Sequence, residues 1–153
     1  MELTENKKAL VEKIGIFYEN VGLQPAAARV MGLLWLSDSP ELTFDEITSA
    51  LCISKSATSN AVNLLLQTGQ LEYITFTGDR KRYFRLKVSN WRENFADKIQ
   101  GLTKFKDLLT QVLEVRTKET TAYNQNIKEL SSFLEFVQQE LPNLLKKWEE
   151  QNS

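Results

Sequence analysis

The stretch LTFDEITSALCISKSATSNAVNLLLQTG, from Leu42 to Gly69, sets two helices end to end with almost nothing between them. Thr43 reads as an N-cap with Glu46 three residues on, a capping box opening a helix that buries Phe44, Ile47, Ala50 and Leu51. Ser54 supplies the next N-cap only three residues after Leu51. Helices joined by so short a turn must cross steeply, which commits this region to helix-turn-helix geometry. In the second helix Thr58, Val62 and Leu65 lie at i, i+4 and i+7, and Ala61 is small enough to let the first helix approach. Gly69 is a good residue to end it.

Removing that inward stripe leaves Lys55, Ser56, Ser59, Asn60 and Asn63 on the outer face, with Gln67 further along and no acidic residue among them. Base edges in the major groove both donate and accept hydrogen bonds, and Ser, Asn and Gln can do either, whereas Glu would be repelled by phosphates. Lys55 stands at the helix N-terminus, within reach of a phosphate, and Ser54 and Ser56 can offer hydroxyl or backbone donors. The ordinary alternative is that Ser and Asn simply tolerate a solvated face. The next segment weighs against it.

After Gly69 the period changes. In LEYITFTGDRKRYFRLKV, Tyr73 and Thr75 on one side of Thr-Gly-Asp, and Arg82, Phe84, Leu86 and Val88 on the other, are β-formers, so the segment reads as a hairpin. Its tip carries Arg80, Lys81 and Arg82, and strand alternation prevents three consecutive side chains from all packing inward. The net charge of the chain is −1, but residues 1–53 carry 4 basic and 8 acidic side chains, residues 88–153 carry 9 and 10, and residues 54–87 carry 6 and 2. The basic segment therefore coincides with the outer helix face and the hairpin, the footprint expected of a nucleic-acid surface.

The remaining chain reads as helix. Leu10, Val11, Ile14, Phe17, Tyr18 and Val21 recur at helical spacing, and Pro25 opens AAARVMGLLWL, apolar nearly all round and hence central to the core. SDSPEL reads as a loop. Trp91 to Val115 forms a long amphipathic helix, RTKETT a weak break, and a last helix runs to Pro142, followed by a final turn with Leu145 and Trp148. The fold class is mainly α with a small β-hairpin. We divide its one continuous domain into an N-terminal helix at 1–22, a helix-turn-helix and hairpin region at 23–89, and a helical region at 90–153. The two long helices expose more apolar stripe than a small core can cover, which predicts a second copy as partner.

Composition narrows the function. At 153 residues, 42% hydrophobic and 25% charged, the chain is long enough for one core and too short for two ordinary domains. No apolar run reaches the roughly 18 to 20 residues that span a bilayer, and the opening MELTENKKAL lacks a signal-peptide stretch, so a cytoplasmic protein with no membrane partner is expected. There is no His, and Cys52 is alone, which removes the commonest general base and any Cys/His zinc site. The glycines form no phosphate loop. No cofactor, metal or catalytic activity is expected.

The segments LTFDEITSALCISKSATSNAVNLLLQTGQLEYI, GDRKRYFRL and NWRENF together resemble the winged helix-turn-helix of the MarR superfamily of transcription regulators, and most closely its GbsR-type branch. The branch pattern is matched by Gly78, Arg80, Lys81, Tyr83, Phe84 and Trp91, and the likeness spans about Arg29 to Phe95. It implies a homodimer, its long N- and C-terminal helices forming the dimer, that binds double-stranded DNA at an inverted repeat and acts as a repressor relieved by a small-molecule effector. Carried over by position, Ser54, Lys55, Ser56, Ser59, Asn60 and Asn63 become recognition-helix contacts, and Arg80, Lys81 and Arg82 wing contacts. Asp79 either orients Arg80 through an ion pair or is a turn residue. An effector pocket would draw on Phe17, Tyr18, Trp35 and Phe95, with Phe105 nearby; the plainer reading is that these aromatics are core. Cys52 departs from the pattern, since it stands where such turns usually hold a Gly of positive φ. A redox role for it lacks a neighbouring cation that would activate the thiol. The competing functional reading is a winged-helix module that binds protein and not DNA.

Overall fold

The computed structural model describes residues 2–153, which divide into a unit ending at Ser89 and a unit Asn90–Ser153. The first contains α1 (Glu5–Asn20), α2 (Pro25–Leu36), β1 (Glu41–Thr43), α3 (Phe44–Leu51), α4 (Lys55–Gln67), β2 (Leu71–Ile74) and β3 (Tyr83–Leu86). The second contains α5 (Trp91–Val115) and α6 (Thr121–Gln151).

Helix α2 is the axis of the first unit. Ala27, Ala28, Val30, Met31, Leu33 and Leu34 are buried, which accounts for a helix apolar nearly all round. Helix α1 crosses it closely. A Cβ at Gly32 would stand 2.9 Å from the Val11 carbonyl oxygen, so glycine sets the distance between the two backbones. The polar side of the crossing is Arg29, whose Nη2 lies 3.0 Å from Glu12 and whose Nη1 makes an ion pair at 2.9 Å with Glu19 that falls short of hydrogen-bond geometry. Helix α1 starts at Glu5, ahead of the apolar repeat that begins at Leu10, because the Thr4 hydroxyl caps it by accepting from the Lys7 N–H.

The sheet differs from the expected hairpin. It has three antiparallel strands in the order β1-β3-β2, and β1 begins in the segment that reads as a loop and ends at the Thr43 N-cap. Leu42 pairs with Phe84, and Leu71 with Leu86. Leu42, Phe84 and Leu71 are buried on one face, while Glu72 and Arg85 form an ion pair at 2.6 Å on the other. The strands of the hairpin are also short. Thr75, Arg82 and Val88 lie outside them.

In chain order the helix-turn-helix lies between β1 and β2. The Thr43 capping box is complete, with the Glu46 carboxylate accepting from the Thr43 N–H at 2.7 Å and the Thr43 hydroxyl accepting from the Glu46 N–H. The Thr43 backbone donor holds the Glu46 carboxyl below its ordinary pKa. Cys52 ends α3 in the left-handed region at φ 53°, ψ 38°, as a turn position suited to Gly requires. Ser54 caps α4 by accepting from the Ala57 N–H, and Thr58, Ala61, Val62 and Leu65 are the buried stripe.

In the second unit α5 and α6, about 37 and 46 Å long at 1.5 Å per residue, form an antiparallel hairpin. Trp91 meets Trp148 edge-on at 5.6 Å at the open end, where Arg92 bonds Glu149 at 2.9 Å. At the closed end Arg116 donates to Asn124 and Thr120, and the buried Asn124 amide donates to the Thr117 carbonyl. Helix α6 continues through Pro142, where the sequence predicts a break. Leu134, Val137, Leu141, Leu145 and Trp148 keep one periodic stripe on both sides of the proline, and packing of that stripe overrides the missing N–H. No residue of α5 is buried.

Gly32→Ala should destabilise the first unit by about 1 to 3 kcal/mol through overpacking against the Val11 backbone. Gly101→Ala, where the added Cβ meets nothing within 4 Å, should instead stabilise α5 by about 0.5 to 1 kcal/mol. Urea titration followed by circular dichroism measures both.

Candidate nucleic-acid interface

On α4 the outward positions are as the sequence places them. Ser54, Lys55, Ser56, Asn60 and Asn63 are exposed and Ser59 is half-buried. Ser54 and Ser56 share a hydroxyl contact at 3.1 Å at the helix N-terminus, and the Asn63 amide lies 3.5 Å from the Ser59 hydroxyl one turn back. These contacts are long or between small groups, so the side chains can exchange them for a partner's hydrogen bonds at small cost.

The wing tip is built around Asp79. Its carboxylate accepts from the Lys81 N–H at 2.9 Å and from the Tyr83 hydroxyl at 2.7 Å. Of the two readings of Asp79, these contacts support the turn residue and not the ion pair to Arg80: Asp79 orders the turn as an Asx-type residue, and a phenol takes the second oxygen. The Lys81 backbone donor and then the Tyr83 hydroxyl hold the Asp79 carboxyl below its ordinary value, and the carboxylate in turn pushes the Tyr83 phenol up. Phe76 packs edge-on against the Tyr83 ring at 5.0 Å, and Gly78 supplies the positive φ of 84° that the turn needs. With the tip so closed, Arg80, Lys81 and Arg82 are all exposed. Arg82 lies over the Tyr73 ring at 5.6 Å, a contact that the bare charge count could not reveal.

Two successive stretches match MarR-family models. Residues 21–82 match the model described as MarR family, and residues 89–151 match an MmpR5-like MarR family transcriptional regulator. The chain belongs to the MarR family. It is 25% identical over 128 residues to the HTH-type transcriptional regulator MmpR5 of Mycobacterium tuberculosis, covering 84% of this chain and 78% of that one. A crystal structure of a transcriptional regulator shares its fold with a TM-score of 0.76 at 23% identity, over 95% of this chain and 99% of the other. Helices α3 and α4 are accordingly the MarR helix-turn-helix, and the β2–β3 hairpin is its wing.

Of the four aromatics expected to line an effector pocket, three lie in the first unit and one in the second. Phe17 meets Tyr18 edge-on at 5.3 Å and Trp35 donates to the Tyr18 hydroxyl at 2.9 Å, so three share the α1–α2 surface of the first unit. Phe95 belongs to the second unit, where it lines a cavity of about 570 Å³ with Trp91, Leu141, Leu144, Leu145 and Trp148. Phe105 is exposed on α5. Cys52 is exposed at the turn, its thiol 3.5 Å from the Ser49 carbonyl oxygen. Among the described residues no helix is long and apolar enough to cross a membrane, and no cluster of three His, Cys, Asp or Glu is placed to hold a metal ion.

The Asp79–Tyr83 clasp has a two-sided pH dependence. Asp79 titrates below its ordinary 3.8, so its contribution is present above that value and lost as pH falls through the depressed pKa. Tyr83 titrates above its ordinary 10.0, so its contribution is present below that value and lost as pH rises through the raised pKa. In Asp79→Asn the Tyr83 phenol should titrate at lower pH and the Lys81 amide should exchange faster. An NMR titration of the Tyr83 ring reads the first and hydrogen exchange the second; an unmoved Tyr83 would remove the clasp.

Proposed function

We propose that the chain is a homodimeric repressor that binds double-stranded DNA at an inverted repeat. Helix α4 enters the major groove and the wing reaches the adjacent minor groove. The observation that carries this is an outer α4 face of Lys55, Ser56, Asn60 and Asn63, free of acidic residues, in the same unit as a wing whose Arg80, Lys81 and Arg82 all face solvent. Asn60 and Asn63 are the base-reading side chains, since an amide can pair bidentately with adenine. Ser54, Lys55, Ser56 and Ser59 make the phosphate and accessory contacts, and the wing cations hold the backbone.

The second copy covers the apolar faces that the chain leaves open. Phe105, Leu108, Val115, Phe133 and Phe136 are 47, 57, 84, 62 and 59% exposed on α5 and α6, and Phe17 on α1 and Val21 just after it are 60 and 66% exposed. Covering the open half of one such aromatic is worth about 2 kcal/mol. A small-molecule effector that relieves repression would act on the aromatic surface of Phe17, Tyr18 and Trp35. The likeness to the GbsR-type branch rests on the wing residues Gly78, Arg80, Lys81, Tyr83 and Phe84 with Trp91, whereas residues 89–151 match an MmpR5-like model.

Sedimentation at micromolar concentration should give a species of twice 17.6 kDa; a monomer alone would defeat the dimer. Binding of duplex DNA should fall steeply with salt. Arg80→Ala and Lys81→Ala should weaken specific and random duplexes together, each flattening the slope of log K against log salt by about 0.9 per lost phosphate contact. Asn60→Ala and Asn63→Ala should instead relax base preference by about 1 to 3 kcal/mol. Absence of duplex binding at low salt would hand the wing and α4 to a protein partner.

A further inference from the structure

The contact between α3 and α4 is not purely apolar. Thr58 is fully buried in the stripe of α4 that packs inward, and its Oγ1 lies 2.9 Å from Oγ1 of the half-buried Thr48 on α3. Thr48 Oγ1 is also 2.8 Å from the Phe44 carbonyl oxygen, and Thr58 Oγ1 is 3.1 Å from that of Ser54. Two hydroxyls have two protons for these three contacts. The Ser54 carbonyl already accepts the Thr58 N–H at 2.9 Å, and the Phe44 carbonyl is the helical acceptor of the Thr48 N–H. Either hydroxyl can therefore turn its proton onto the other without leaving a carbonyl unpaired, and the link between the helices is kept whichever donates.

We propose that this Thr48–Thr58 pair is a positioning element that fixes the rotation of α4, and through it the reach of Ser59, Asn60 and Asn63. The inference rests on the DNA-binding reading above and goes beyond it, because neither threonine belongs to the outward face of α4. The neighbouring contacts of Ile47, Ala61, Val62 and Leu65 are non-directional, whereas a buried hydrogen bond adds a directional restraint. A rotation of 10° about the helix axis moves a side-chain tip, about 5 to 6 Å from that axis, by about 1 Å. A hydrogen bond to a base edge tolerates only about half of that.

Duplexes selected from a randomised pool by the wild-type full chain, and scrambled versions of them, serve as probes for Thr58→Val, Thr48→Val, the double variant and Thr58→Ser. Valine keeps the shape of threonine and removes the hydroxyl. Thr58→Val should lower affinity for the selected duplex by about tenfold, the order set by one lost bidentate contact. Scrambled-duplex affinity should stay within about twofold and the salt slope should be unchanged. Thr48→Val should do the same, the double variant no more than either single one, and Thr58→Ser should recover the selectivity. Singles that multiply in the double variant, or selectivity that stays at wild type while melting temperature falls, would overturn the proposal and leave the pair a stabilising contact. Should Thr58→Val fail to fold, Thr48→Val decides alone by the same ratio. Failure of the wild-type chain to select any duplex would refute the parent reading, and this one with it, a result distinct from loss of selectivity in the variants alone.

Discussion

Helix α4 has to give one face entirely to the protein, and the character of the first unit follows from that constraint. Ala61, Val62 and Leu65 are in the core with Ile47 of α3, and α2 contributes the apolar bulk against which they rest. A helix of 13 residues anchored along one side leaves its outward positions no structural duty. Beyond Lys55 those positions are occupied by small amides and hydroxyls, where Lys and Glu would serve solubility as well. The turn that delivers the helix is constrained in the same way. Cys52 adopts a left-handed conformation that glycine would take without strain, and Ser54 caps the helix three residues after Leu51.

Charge in this unit is managed so that cations near the candidate interface remain available. Asp79 neutralises none of the wing cations by a side-chain ion pair; it spends its oxygens on a backbone N–H and a phenol. Glu46 is likewise engaged by its own capping box. Arg85, by contrast, is paired with Glu72 in the sheet, and Arg29 is shared by Glu12 and Glu19 at the α1–α2 crossing. Structural arginines are matched with carboxylates, whereas the three cations at the wing tip, Arg80, Lys81 and Arg82, are presented to solvent.

The second unit obeys a different rule. Its ends are secured by directional contacts, Arg92 with Glu149 beside Trp91 and Trp148, and Arg116 with Thr120 and Asn124. Its flanks are not secured by any core of its own, since α5 buries nothing and α6 only Asn124 and Leu134. A two-helix hairpin can bury one seam, and the apolar residues on α5 and α6 exceed what one seam can hold.

Much of this was legible in the chain itself because it depends on near neighbours. Helix periodicity, the Thr43 and Ser54 caps, the Gly69 terminus and the start and end of α5 at Trp91 and Val115 are all properties of residues within a turn or two of one another. The outward set on α4 followed by subtraction from its buried stripe. What remained hidden depends on partners far along the sequence. Strand β1 is three residues that become a strand only because β3, some forty residues later, offers its edge. Pro142 ought to end a helix, and packing against α5 carries the helix past it. Asp79 stands beside Arg80 in sequence, yet the fold of the wing turns its carboxylate to Tyr83, and Thr48 and Thr58 look like ordinary helix residues until two helices bring their hydroxyls to 2.9 Å. Hydrophobic periodicity and capping are written within a helical turn, so the order of residues is enough to read them. Which polar group meets which is a matter of distance between elements, and that distance exists only once the chain has folded.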